Sequence, residues 1–215
     1  MYRDEIKINR IVAWHPVLTD HQAFTYQELS RQSGLPVVVQ VAKLEDEVRR
    51  TQGWIDTRVT DIERQLIPAQ GFLRYAIKYM LSNRRQVHIF GSAFEGWRMM
   101  LILWCVSLLR VEFYIISDPY SQVVFGYLGD GSSFAGGLKT FLRPILYKFY
   151  CQIFCRGVSG LFAISQRAID QYRESGIPAE KIFPFGYFVP REGVEKNVGS
   201  AFLSERQANL QVVFL

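Results

Sequence analysis

Residues 160–190 read GLFAISQRAIDQYRESGIPAEKIFPFGYFVP, and their grammar is strand, helix, strand, exit. The run 160–164 is short and apolar. Ser165 then precedes Ala168, Ile169 and Tyr172, spaced for one helical face, and its hydroxyl is placed to cap that helix. Ser175-Gly176 ends the helix. Ile177-Pro178 restarts extended chain, and residues 181–185 form a second apolar run stopped by Gly186. Two such strands joined by a helix make a crossover between parallel strands. The fold class that follows is α/β: a Rossmann-like parallel sheet flanked by helices.

The chain before this unit reads the same way. Residues 8–14 form an apolar strand that ends at His15-Pro16, and residues 17–21 lead to a helix with Phe24, Leu29 and Tyr26 inward, stopped by Gly34. The unbroken valines within 37–42 suit a strand covered on both faces. Residues 43–68 are polar with scattered apolar side chains, which predicts short helices or loops. An amphipathic helix is expected over 71–83, a strand over 87–91, a helix over 92–110 and a strand over 111–117. Asp118-Pro119 must leave that strand abruptly, because proline cannot serve a central ladder. The glycine- and serine-rich residues 121–137 read as a functional loop or as disorder, and 138–158 as a helix kinked or restarted at Pro144. Residues 191–209 read as a linker and 210–215, LQVVFL, as a further strand.

At 215 residues, 49% hydrophobic and 21% charged, the chain is long enough for one large domain. A formal charge of +5 suits a phosphate-bearing ligand, an anionic membrane surface, or simply solvated lysines and arginines. Cys105, Cys151 and Cys155 lack metal-ligand or paired spacing and read as reduced core residues. Residues 1–10 are charged rather than leader-like, so a cytoplasmic location is expected. The longest apolar run, 99–109, falls short of the roughly 18–20 residues that span a bilayer. The dinucleotide fingerprint Gly-x-Gly-x-x-Gly is missing after the first strand, and no cofactor is expected.

In parallel α/β sheets, ligands collect outside the carboxyl ends of the strands. That rule selects His15, His21, Gly91, Ser92, Tyr120 and Ser165 as substrate-binding candidates and Asp118 as the catalytic one. Asp118 directly follows the strand VEFYIIS, where a carboxylate can accept a proton from an attacking hydroxyl or orient it. Its competing role is to cap the loop through nearby backbone amides. Neither His15 nor His21 has a partner at metal-ligand spacing, so no metal is expected; His21 reads as a substrate contact or as a surface histidine. His88, within a strand, reads as structural. Residues 91–96, GSAFEG, have the glycine spacing of a phosphate loop, but Trp97-Arg98 stands where lysine and a hydroxyl residue belong. Gly91 there either admits a ligand to the backbone or permits a compact turn, with Ser92 at the start of the helix. Residues 131–169 hold Lys139, Arg143, Lys148, Arg156 and Arg167 without a carboxylate, interleaved with aromatics. Such a helix rests on an anionic membrane or is buried with a solvated basic edge. No nucleic-acid module accompanies the charge, and nucleic acid is not an expected partner.

The order LFAIS, QRAIDQYRES, Gly176, Lys181-Ile182 and Pro184-Phe185-Gly186 resembles the close of the N-terminal lobe in family 4 glycosyltransferases of the GT-B architecture. Phe185 stands where that family usually has the asparagine of a Pro-Asn-Gly turn. The resemblance implies a layout of 1–190 as a Rossmann-like acceptor-binding lobe, 191–209 as a linker and 210–215 as the first strand of a truncated donor-binding lobe. It implies a retaining glycosyltransferase that moves sugar from a nucleotide-sugar donor to an acceptor hydroxyl, the acceptor being a carbohydrate or lipid-linked, in cell-surface polysaccharide or glycolipid synthesis. The donor's acidic Glu-x₇-Glu pattern would belong to the second lobe, leaving residues 1–215 inactive alone. The alternative is a non-catalytic α/β binding module acting with a partner chain or at a membrane surface.

Overall fold

The computed structural model describes residues 8–44, 62–94, 96–120 and 134–187. Among the described residues seven strands form one wholly parallel sheet: β1 (Ile11–His15), β2 (Val37–Val41), β3 (Glu63–Leu66), β4 (Val87–Phe90), β5 (Phe113–Ser117), β6 (Val158–Ala163) and β7 (Ile182–Pro184). Their order is β3-β2-β1-β4-β5-β6-β7, so the chain reverses direction across the sheet between β1 and β4. Among the described residues five α-helices lie between strands: α1 (Asp20–Ser33), α2 (Phe72–Ser82), α3 (Trp97–Leu108), α4 (Phe134–Phe154) and α5 (Gln166–Glu174). This is the Rossmann-like α/β fold expected from residues 160–190, whose β6-α5-β7 unit pairs Leu161 with Ile182 in parallel register.

The central strands are buried because they are apolar on both sides. On one face Val12, Trp14, Phe90, Phe113, Ile115 and Leu161 pack with helix residues including Met80, Leu103, Phe154 and Tyr172. On the other, Ile11, Ala13, Val37, Val39, Ile89 and Ile116 meet Ala23 and Tyr26 of α1. The polar Gln40 is tolerated in β2 because its amide donates to Gln65 Oε1 at 2.6 Å and accepts from the Tyr75 hydroxyl at 2.9 Å.

Several boundaries depart from expectation. β3 lies within the stretch expected to be short helices or loops; it is polar because it is an edge strand, paired among the described residues only to β2 and largely exposed. α4 spans Phe134–Phe154, so residues 134–137 are helical despite two glycines, and it runs through Pro144 as one helix. The chain then turns at 155–157, and Val158 opens β6 instead of ending the helix. α3 starts at Trp97, after Gly96 at φ +78°, five residues later than expected. The expected linker 191–209, the strand 210–215 and the loop residues 121–133 lie outside the described residues.

Candidate functional site

β1 delivers His15 to the carboxyl rim of the sheet, where the side chain is 1% exposed. Its Nε2 lies 2.6 Å from the Tyr26 hydroxyl on α1, while its Nδ1 is buried without a partner. Burial, reinforced by the charge of His21, pushes the imidazole down to about 3, so the ring is neutral at ordinary pH. It occupies the space above Gly91, the residue that follows β4 on the neighbouring strand. Gly91 therefore gives room to an imidazole of the same chain. Together His15, Tyr26 and Gly91 form an inner layer beneath the rim.

An outer layer covers it. His21 sits in the first turn of α1, its Nε2 3.1 Å from Thr19 Oγ1. Its ring meets Tyr187 edge-on, with centroids 4.5 Å apart. Tyr187 arrives from the exit after β7 in contact with Phe185. Asp118 leaves the end of β5 and is open to solvent, yet enough protein surrounds its carboxyl to raise it above the ordinary 3.8 by desolvation. His21 opposes that shift, which places the two within electrostatic reach across β4. Loops after β1, β5 and β7 thus converge on one patch holding a carboxylate, an imidazole and a phenol. Such a set can hydrogen-bond a polyhydroxyl ligand and orient or deprotonate one of its hydroxyls.

α5 fixes the backbone of this patch. The Tyr172 hydroxyl donates to Ser117 Oγ at 2.6 Å, and that oxygen donates to the Asp118 carbonyl at 3.0 Å. Gln171 Nε2 donates to the Tyr120 carbonyl at 3.0 Å. Tyr120 itself is buried, its hydroxyl donating to Ser175 Oγ at 3.0 Å and its ring packed on Phe94 and Tyr147. Asp118 is therefore carried on a stretch of backbone tied down on both sides.

Of the candidates from sequence, His15, His21, Gly91 and Asp118 come together. Tyr120 and Ser165 lie on the adjoining strand ends and serve the scaffold: Ser165 Oγ accepts from the Ala168 amide at 3.2 Å and caps α5. Ser92 precedes α3 instead of opening it, its hydroxyl accepting from the Phe94 amide at 3.3 Å. His88 is structural, with Nδ1 accepting from the Trp14 indole at 3.1 Å and Nε2 3.1 Å from the Asn83 carbonyl. Tyr26 was legible only as an inward helix position, and Tyr187 not at all. Its one signal is its place just beyond Pro184-Phe185-Gly186, where the chain leaves the sheet at the rim. Among the described residues no group of three His, Cys, Asp or Glu side chains is placed to hold a metal ion.

No family model matches the chain, and no curated protein matches its sequence. Solved structures do match in fold. UDP-N-acetylglucosamine 2-epimerase from Rickettsia bellii aligns over 84% of this chain and 45% of its own, with a TM-score of 0.51 and 8% identity. HepE of Anabaena, solved in complex with UDP-glucose, aligns over 92% of this chain and 49% of its own, with a TM-score of 0.50 and 8% identity. UDP-GlcNAc 2-epimerase from Methanocaldococcus jannaschii aligns over 82% and 45%, with a TM-score of 0.45 and 12% identity. The chain spans about half the length of these structures. At such identities the first two likenesses show the fold, a Rossmann-like lobe of the GT-B type.

Proposed function

We propose that this chain is the acceptor-binding lobe of a GT-B glycosyltransferase, retaining and family 4-like, that transfers sugar from a nucleotide-sugar donor to an acceptor hydroxyl. The observation that carries the reading is the convergence of Asp118, His21 and Tyr187 at the carboxyl rim of a GT-B-type sheet. Two further supports agree with it. The order of elements in residues 160–190 resembles that family, and the matched structures include one in complex with UDP-glucose and one named a UDP-N-acetylglucosamine 2-epimerase.

In this reading Asp118 accepts a hydrogen bond from the acceptor hydroxyl, His21 and Tyr187 hold neighbouring hydroxyls, and the neutral His15 with Tyr26 keeps the floor rigid. The contribution is positional: a fixed acceptor meets the anomeric carbon of a donor held mainly by a second lobe, and lobe closure excludes water. The acceptor is a carbohydrate or a lipid-linked sugar, as in cell-surface polysaccharide or glycolipid synthesis, and the reaction runs on the cytoplasmic side of the membrane.

The test is Asp118→Asn in the full-length enzyme, with kcat/KM expected to fall by roughly 10²-fold or more. Unchanged kcat/KM removes Asp118 from the mechanism, and sugar transfer by residues 1–215 alone removes the need for a second lobe. A non-catalytic surface module is the second reading, and the apolar outer face of α4 is the observation in its favour.

A further inference from the structure

Among the arginines and lysines with described side chains, all but Arg98 and Lys181 are exposed. Lys181 is half-buried because its ammonium donates to the Val158 carbonyl at 2.7 Å. Arg98, also half-buried, has no such outlet. Its guanidinium carbon lies 5.4 Å from the ring centroid of Phe72 and 5.5 Å from that of Trp97, and the two rings meet edge-on at 5.4 Å. Aromatic faces attract a cation but do not take up its N–H groups as an oxygen would. Among the described residues no oxygen accepts from Arg98 and no carboxylate pairs with it. Neither α2 nor α3 contains an acidic residue, and Glu95, just before α3, lies outside the described residues. The Asp118 carboxyl is moved by burial and by His21 and not by Arg98, so the guanidinium is not spent there either.

The place of this cradle gives it a use. α2 and α3 follow the carboxyl ends of β3 and β4 and open with Phe72 and Trp97, which brings both rings to the rim. β1 and β4 are the neighbours between which the chain reverses across the sheet. α1 and α3 leave those two strands toward opposite faces, since Ala23 and Tyr26 pack on one and Leu103 on the other. Connections that part in this way open the crevice where parallel α/β sheets take ligands. His21 stands at the start of α1 on one side of it, and Arg98 at the start of α3 on the other.

The chemistry of the cradle selects the ligand. A half-buried guanidinium with unspent N–H donors matches the paired oxygens of a phosphate or a carboxylate. Beside it Trp97 is 62% exposed, and the negatively polarised face of an indole suits the C–H groups of a sugar ring. A purely apolar partner would bury those donors unpaired, at a cost in affinity. A bare ion would leave the indole in water.

We propose that Arg98, held by Phe72 and Trp97, binds the anionic group of a saccharide, either a phosphate or a uronic-acid carboxylate, whose sugar ring lies on the Trp97 indole. That this saccharide is the acceptor rests on the transferase reading; the binding itself does not.

The experiment is titration of the full-length protein with glucose 1-phosphate, glucuronate, methyl glucoside, inorganic phosphate and UDP. Each is followed by NMR of the Trp97 indole N–H, assigned by its loss in Trp97→Phe. At least one anionic sugar is expected to bind about tenfold more tightly than methyl glucoside and than inorganic phosphate, and the tighter of the two identifies the anion as phosphate or carboxylate. Arg98→Gln should remove the preference over methyl glucoside at unchanged Tm. Arg98→Lys should restore only part of it, because an ammonium lacks the planar fork. If Arg98→Gln does not fold, Arg98→Lys, which keeps a charge over the two rings, carries the test. Anionic sugars that bind no more tightly than methyl glucoside, or a preference that survives substitution of Arg98, overturn the proposal. Inorganic phosphate binding as tightly as the sugars reduces the cradle to an anion site and overturns it too. UDP binding about tenfold more tightly than either sugar overturns it in favour of the donor's diphosphate. None of these titrations needs turnover, so their failure leaves the Asp118 test standing, and failure of that test leaves the saccharide site intact.

Discussion

The imidazole of His15 fills the volume that a side chain at residue 91 would need: a Cβ on Gly91 falls 1.6 Å from Cε1 and 2.0 Å from Nδ1 of that ring. The two positions sit on adjacent parallel strands at the point where the chain reverses across the sheet. Gly91→Ala must expel the ring and break its bond to Tyr26, and is expected to destabilise the chain by about 3 kcal/mol in urea unfolding. In a His15→Ala background the same change meets a smaller neighbour and is expected to be nearly neutral. The resulting coupling energy distinguishes this exclusion from a general intolerance of Ala at the turn.

The same burial makes stability depend on pH. An unfolded chain takes up a proton at His15 below its ordinary 6.5, whereas the folded chain refuses it until about 3. Protons therefore favour unfolding throughout that window, and stability falls as pH falls through it while staying level above. From pH 6.5 to 5.5 the loss attributable to His15 is about 1 kcal/mol. His88, also pushed down by burial, adds to the slope. Urea midpoints measured across this range should show His15→Gln with a shallower decline than the parent, the His88 share remaining.

Ser165 was a candidate both for capping and for contact with substrate, and the structure gives it a cap. Ser165→Ala should lower stability by about 1 kcal/mol, and Ser165→Asp should restore it, because aspartate caps equally well. If kcat/KM of the full-length enzyme follows stability through both substitutions, Ser165 acts through α5. If Ser165→Asp restores stability but not kcat/KM, the hydroxyl touches substrate.

The parallel sheet was legible wherever apolar periodicity was strong. The valines of β2, the strand VEFYIIS and the β6-α5-β7 unit each announce themselves by the side chains they bury. β3 hid because an edge strand buries little; ERQL reads as loop until its partner β2 is known. The start of α4 hid because Gly136 and Gly137, weak helix formers, imitate a loop. At the candidate site, the strand-end rule singled out His15, His21, Gly91 and Asp118 from local sequence, and the fold brings these four to one rim. Tyr26 and Tyr187 depend on two segments far apart in sequence meeting over the rim, which periodicity within one segment does not encode. The role of Gly91 was open for the same reason, since the group that fills its space comes from β1.

Asp118 and His21 give the last prediction. Desolvation raises the Asp118 carboxyl above 3.8, and His21 pulls it back toward ionisation, since positive charge nearby favours the carboxylate. Removing that charge by His21→Ala should therefore move the Asp118 titration to higher pH still, by carbon-detected NMR of the side-chain carboxyl. In the full-length enzyme the acid limb of the kcat/KM profile should move the same way, because a base that is protonated at higher pH is lost sooner on acidification. The parent enzyme would lose activity at a lower pH than the variant. A carboxyl shift without movement of the acid limb would mean that the two groups interact but that Asp118 is not the base. A limb that moves while Asp118→Asn retains full kcat/KM would assign the proton transfer to a different group on the rim.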